Sequence, residues 1–164
     1  MEIVKADFMH IDAFRIYAQK CGRAQLSMYV NAQNNPDSYL KKRIDYAQGK
    51  GIPEGWPAMT TYFCFHENVI IGVIRIRNGS NDYIENVIGH VGYEVLPEMR
   101  GKGFASEMLL WVKQNQLLDS VIVTCEARNS ASQRVIEKCG GQLLNRFQSE
   151  FEGEIIRYLL TPNE

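Results

Sequence analysis

The run Arg100-Gly101-Lys102-Gly103-Phe104-Ala105 lies between an apolar strand pattern ending at Leu96 and a helical pattern in which Phe104, Met108, Trp111 and Val112 share one face. Its physics is that of an anion site. Glycines let the backbone turn so that consecutive N–H groups converge, and the following helix adds its positive N-terminal end. Arg100 and Lys102 contribute mobile positive charge. The natural ligand of such a turn is a phosphate or a pyrophosphate. Neither the triphosphate-binding pattern G-x-x-x-x-G-K-[S/T] nor the dinucleotide pattern G-x-G-x-x-G is present.

The rest of the chain reads as mixed α/β around this turn. A short apolar stretch at Ile3-Val4 precedes a helix over about Ile11 to Lys20, and a second helix is expected near Ala24–Ala32. Pro36-Asp37-Ser38 starts a third, on which Leu40, Ile44 and Ala47 form one apolar face. Gly49 to Pro57 is a loop. Strands follow at Thr60–Phe65 and Val69–Ile76, joined by a turn at His66-Glu67-Asn68. After the loop Asn78–Asp82 come a strand over Val87–Leu96, the glycine turn and its helix, and a buried strand at Ser120–Cys125. A helix over Ser130–Cys139 opens on a capping box, Ser130-x-x-Gln133. A final hairpin pairs Gln142–Phe147 with Glu154–Leu160.

Composition narrows the function classes. The 164 residues carry 18 Lys plus Arg and 19 Asp plus Glu, a formal charge of −1. That balance disfavours a nucleic-acid binder or a polybasic membrane binder. No apolar run reaches the roughly 18 residues of a membrane span, and the N-terminus has no export-signal organisation. Cys21, Cys64, Cys125 and Cys139 form no C-x-x-C pair, and His10, His66 and His90 lack metal-ligand spacing, so no metal is expected. A reduced, cytoplasmic protein of one domain, residues 1–164, is the expectation.

The glycine turn reads R-x-x-G-x-A at Arg100, Gly103 and Ala105. This resembles the acyl-CoA pyrophosphate loop of the GNAT superfamily of N-acetyltransferases. The segment Ile88-Gly-His-Val-Gly-Tyr-Glu-Val-Leu-Pro97 looks like that family's fourth strand, and Phe104-Ala-Ser-Glu-Met-Leu-Leu like its third helix. Asn129-Ser-Ala-Ser132 through Lys138-Cys-Gly140 is similar to the segment lining the pantetheine arm. The resemblance spans about Val69 to Gly140 and is strongest to a bacterial branch of predicted acetyltransferases similar to ribosomal-protein N-acetyltransferases. It implies a GNAT fold: a mixed, mostly antiparallel sheet of six to seven strands flanked by about four helices, with the fourth and fifth strands splayed. It also implies acetyl-CoA as cofactor and a small-molecule or peptide amine as acceptor. Many such domains form homodimers, which no residue here fixes.

Acyl transfer from a thioester to an amine requires a neutral amine, a donor for the developing oxyanion and a proton for the leaving thiolate. The resemblance implies direct attack in a ternary complex. In that scheme Arg100, Gly101, Lys102, Gly103, Phe104 and Ala105 hold the pyrophosphate, Asn129 and Ser132 the pantetheine arm, and a backbone N–H near Val95 faces the thioester oxygen. His90 is the leading base. Strand alternation puts it with Ile88, Gly92 and Glu94 on one face, and its imidazole titrates near neutrality. Its competing reading is a half-buried histidine that pairs with a neighbouring strand. Glu94 is the second base candidate, set against a solvated carboxylate. Arg75, with Arg77 beside it, and Asn81 and Asp82 are candidate acceptor contacts, the last two also fitting turn chemistry.

The chain departs from the family where many members place the thiolate's acid, a tyrosine seven residues after the motif asparagine. Here that position is Ile136. Tyr158 and Tyr93 are the candidate replacements, against a packing role. Cys125 is either a small buried apolar residue or the nucleophile of a ping-pong scheme. The absent tyrosine keeps open an alternative to the enzyme, a non-catalytic acyl-CoA-binding regulator.

Overall fold

In the computed structural model, which describes residues 1–163, the strand that carries most of the core is Val69–Arg77 (β3). Ile70, Ile71, Val73, Ile74 and Ile76 are all buried, so both faces of β3 are covered. It sits in a four-stranded antiparallel sheet with Glu2–Lys5 (β1), Met59–His66 (β2) and Val91–Val95 (β4), in the order β1-β2-β3-β4. The helices Ile11–Arg23 (α1) and Pro36–Ala47 (α2) pack on one face, against β3 and β2, and Phe104–Asn115 (α3) packs against β3 and β4. A second antiparallel sheet has the order β5-β7-β6, from Val121–Glu126 (β5), Gln142–Ser149 (β6) and Gly153–Leu160 (β7). Ser130–Lys138 (α4) follows β5.

This is the GNAT-type mixed α/β arrangement expected from the sequence, with seven strands and four α-helices. Local chemistry explains most boundaries. Glu67 and Asn68 take positive φ (51° and 63°), which closes the β2–β3 hairpin. Asn35 caps α2 by accepting from the Ser38 N–H, with Pro36 in the first turn.

Three expectations are corrected. Ala24–Ala32 is not a helix. Gln25 adopts φ 59°, Leu26 N–H turns back to Cys21 O, and the chain runs in turns to a short 3₁₀ segment, Ala32–Asn34. These turns place Tyr29 in the core, 1% exposed. The fourth strand is shorter than Val87–Leu96, because Ile84–Ile88 forms a single π-helical turn and Gly89 follows with φ 71° and ψ 173°. The cap of α4 is Asn129, whose side chain accepts from Ser132 N–H, rather than a Ser130–Gln133 box. Gln133 instead donates to Ala127 O.

Just before β4 the two sheets are hydrogen-bonded to each other. His90 N–H donates to Ile122 O at 2.7 Å, and Ile122 N–H donates to the Nδ1 of His90 at 3.0 Å. Next to this contact, a Cβ on Gly89 would lie 2.8 Å from Ile122 O and 3.1 Å from Thr124 N. From there β4 and β5 share no ladder and diverge. Gly89→Ala is therefore expected to destabilise the fold by at least about 2 kcal/mol, through backbone strain and steric conflict together. Urea denaturation would measure it, and a loss below about 0.5 kcal/mol would contradict the tight approach.

Candidate active site

The divergence of β4 from β5 opens a cleft of about 670 Å³. Along β4 the hydrogen bonding to β3 alternates. Leu96 N–H bonds Ile71 O and Arg77 N–H bonds His90 O, while the register pairs Gly72 with Val95, Ile74 with Tyr93 and Ile76 with Val91. In an antiparallel ladder the intervening residues turn their N–H and C=O groups away from the partner. The N–H groups of Val91, Tyr93 and Val95 thus face the cleft, and all three residues line it. Val95 is where the sequence places the oxyanion donor.

At the other end of the cleft, Gly101 and Gly103 take φ 75° and 89° with open space beside each, and Gly103 is the N-cap of α3 with no side-chain cap. The first N–H groups of a helix lack intrahelical partners, so this turn presents them to the cleft. Arg100, Gly101, Gly103, Phe104 and Ala105 line it. Arg100 is steadied by an Nε bond to Val95 O at 3.3 Å. Lys102 does not line it; its Nζ lies 3.9 Å from Met99 Sδ. Asn129 and Ser132 do line it. So do two cations of α4 to which the sequence reading gave no role of their own, Arg134 and Lys138, the second inside the segment matched to the pantetheine lining. Their signal was helical spacing, since Ala131, Arg134, Val135 and Lys138 recur on one face of α4. A turn of free N–H groups with three cations suits a pyrophosphate.

The catalytic candidates fare differently. His90 does not line the cleft. Its Nδ1 accepts from Ile122, and its Nε2 lies 3.1 Å from Ser80 Oγ and 3.8 Å from Glu85 Oε1. Burial lowers its pKa, with Glu85 and the Ile122 bond opposing and Arg77 assisting. His90 is thus the half-buried histidine that joins two strands. Tyr158 is also turned away: it is buried, donates to Glu137 Oε1 at 3.0 Å and lines no cleft. Burial and Glu137 push its pKa up to about 12. Ile136, at the family's usual tyrosine position, is fully buried.

Glu94 is not a solvated carboxylate. Arg75 holds it through Nη1 to Oε2 at 2.7 Å and Nη2 to Oε1 at 2.9 Å, and Oε1 also accepts from Tyr17 and Tyr29. Arg75 is 5% exposed, so this is a buried ion pair beneath the sheet. Asn81 and Asp82 stay out of both cavities. Asn81 accepts from Ile84 N–H and donates to Gly55 O, and Asp82 is exposed, which is the turn reading. Cys125 lines the cleft, but burial raises its thiol to about 11, which disfavours a thiolate nucleophile.

Tyr93 occupies the position that matters most. Its hydroxyl shares a hydrogen bond with Ser132 Oγ at 2.7 Å, and burial raises its pKa to about 12, so it is protonated at neutral pH. It lines the cleft and also a second cavity of about 370 Å³ on the other side of β4. Ile88, Gly92 and Glu94 likewise border both, so the two spaces meet across β4.

Residues 5–142 match the family model of the acetyltransferase (GNAT) domain. The chain belongs to the GNAT acetyltransferase family. Acetyl-CoA is its cosubstrate and N-acetyl transfer its reaction, which leaves the non-catalytic regulator without support. A search of curated protein sequences finds no match. Solved structures show the shared fold. RimL, a ribosomal-protein alpha-N-acetyltransferase in complex with coenzyme A, is 18% identical with a TM-score of 0.71, covering 98% of this chain and 93% of its own. RimJ of Mycobacterium smegmatis is 13% identical with a TM-score of 0.73, over 97% of this chain and 80% of its own. The self-immunity acetyltransferase MccE, in complex with acetyl-CoA and AMP, is 15% identical with a TM-score of 0.68, over 98% and 92%. No helix among the described residues is long and apolar enough to cross a membrane.

Two outcomes follow. Gly103→Val forces a branched side chain onto φ 89° at the mouth of the turn. It should weaken acetyl-CoA binding at least tenfold by calorimetry, and unchanged affinity would remove the turn from the site. His90 has a lowered folded pKa, so its contribution is present above the usual imidazole value of 6.5 and is lost as pH falls below it. His90→Asn, which keeps an acceptor for Ile122, should reduce the drop in melting temperature between about pH 6.5 and 5. An identical drop in both proteins would contradict the clasp.

Proposed function

We propose that the protein acetylates an α-amine by direct attack in a ternary complex, with the described chain acting as one acetyltransferase domain. The observation that carries this is the meeting of the two cavities at Gly92, Tyr93 and Glu94. Acetyl-CoA supplies the activated acetyl thioester. The residues do the rest. Gly101, Gly103 and the start of α3, with Arg100, Arg134 and Lys138, hold the pyrophosphate. Asn129, Ser132 and the β4 backbone take the amide-rich arm, and Val95 N–H is the oxyanion donor. Tyr93, paired with Ser132, donates a hydrogen bond to the departing sulfur, and the proton that the nitrogen sheds as the amide forms ends on that thiolate.

Among the described residues, Glu94 is the only carboxylate lining either cavity. Arg75 binds both its oxygens, which holds the carboxylate in place as a hydrogen-bond acceptor that orients the incoming amine. No histidine and no second carboxylate lines either cavity among the described residues. The reaction therefore favours an amine that loses its proton unaided. At pH 7.5 an α-amine is roughly one-third neutral, against about one in a thousand for a lysine side chain. A cytoplasmic setting fits the four free thiols.

Two measurements test this. Initial rates of CoA release at varied acetyl-CoA and acceptor should give intersecting double-reciprocal lines; parallel lines would mean an acyl-enzyme. Tyr93→Phe should lower kcat about 100-fold with little change in acetyl-CoA affinity. A kcat within twofold of the parent would remove Tyr93 from the chemistry.

A further inference from the structure

The second cavity has an excess of buried positive charge. Three guanidinium groups line it, from Arg43, Arg75 and Arg77, against the single carboxylate of Glu94. Arg75 balances the charge of Glu94, so two cations have no counter-charge among the described residues. Arg77 makes no ion pair among the described residues. Its Nη1 donates to Gly89 O at 3.1 Å, and burial together with Arg75 lowers its pKa to about 10. Arg43 is half-buried between Tyr39 and Tyr46, with its guanidinium carbon 4.5 and 4.9 Å from the ring centres, and its Nε is buried without a partner. The Nε of Arg75, 5% exposed, is also unpartnered.

Partly buried cations without a counter-charge are costly unless a ligand supplies one. Guanidinium groups match a carboxylate in two-pronged geometry. The position is also suitable. A Cβ on Gly92 would lie 3.8 Å from Arg77 Nη1, so the missing side chain leaves room between Arg77 and the junction of the two cavities. Glu94 is two residues further along the same strand face, roughly 7 Å away. Arg77 and Glu94 thus border one cavity, where a cation and a carboxylate can hold opposite charges of one small molecule.

Resting on the acetyltransferase reading above, we infer that the acceptor carries a carboxylate within a few bonds of its α-amine, seated on Arg77 and Arg43 while Glu94 orients the amine. Two sources share this chemistry, an acidic residue next to a peptide N-terminus and the terminal carboxylate of a short amino-acid derivative.

The test compares matched acceptors. Alanyl-aspartate amide is set against alanyl-asparagine amide, and alanyl-glycine against alanyl-glycinamide, by CoA release. In at least one pair the acid should be used with a kcat/KM at least tenfold higher, and that pair identifies the source. In Arg77→Met and Arg43→Met the preference should shrink to less than threefold. Calorimetry of the CoA-loaded protein with the N-acetylated forms of the same pairs reads the subsite without turnover. The acid should bind at least tenfold tighter than the amide, and the substitutions should abolish the difference. Equal use and equal binding of acid and amide in both pairs would overturn the inference. So would inorganic phosphate binding as tightly as the acetylated acid. If no acceptor releases CoA yet the acid still binds preferentially, the acetyltransferase reading fails while the carboxylate subsite stands.

Discussion

The contact between His90 and Ile122 sets the geometry on which the site depends. In an uninterrupted sheet, Ile122 N–H would bond a backbone carbonyl and pairing would continue along both strands. Here an imidazole nitrogen takes that N–H, a glycine with positive φ bends the chain just before it, and pairing stops. The strands are therefore joined at one end and open at the other. The backbone groups of Val91, Tyr93 and Val95 that a neighbouring strand would have satisfied are left facing a cleft. Unsatisfied backbone groups in a half-buried space are a binding surface by necessity. In the proposed reaction the amide-rich arm of coenzyme A takes them as a substitute strand.

Beneath the sheet, the irregular segment after α1 has a comparable role. It brings Tyr29 against Glu94 and Arg75, while α1 contributes Tyr17. A buried ion pair gains little net stability, so its value here is positional. It fixes the carboxylate at the border of the two cavities and denies Arg75 to any ligand. The remaining guanidiniums give the second cavity its positive character, which the near-neutral net charge of the whole chain conceals.

Much of this was legible in the residues. Gly101 and Gly103 marked a turn between a strand and a helix, the β2–β3 hairpin was written in His66-Glu67-Asn68, and the apolar spacing after Ser130 marked α4. Each of these depends on local chemistry. What was not legible depends on partners distant in the chain. His90 looked like a base because its strand position and ordinary pKa suit one; its occupation is decided by Ile122, 32 residues away. Glu94 looked solvated because Tyr17, Tyr29 and Arg75 come from three other segments. Tyr158 and Tyr93 were equivalent on paper, and only the packing of α4 turns one toward Glu137 and the other toward Ser132.

The most direct test of the account is a crystal structure with acetyl-CoA bound. The account predicts the pyrophosphate on the N–H groups from Gly101 to Ala105, the pantetheine arm along β4, and the thioester carbonyl within hydrogen-bond distance of Val95 N–H. Acetyl-CoA bound elsewhere, or with its thioester remote from Val95 and Tyr93, would contradict it.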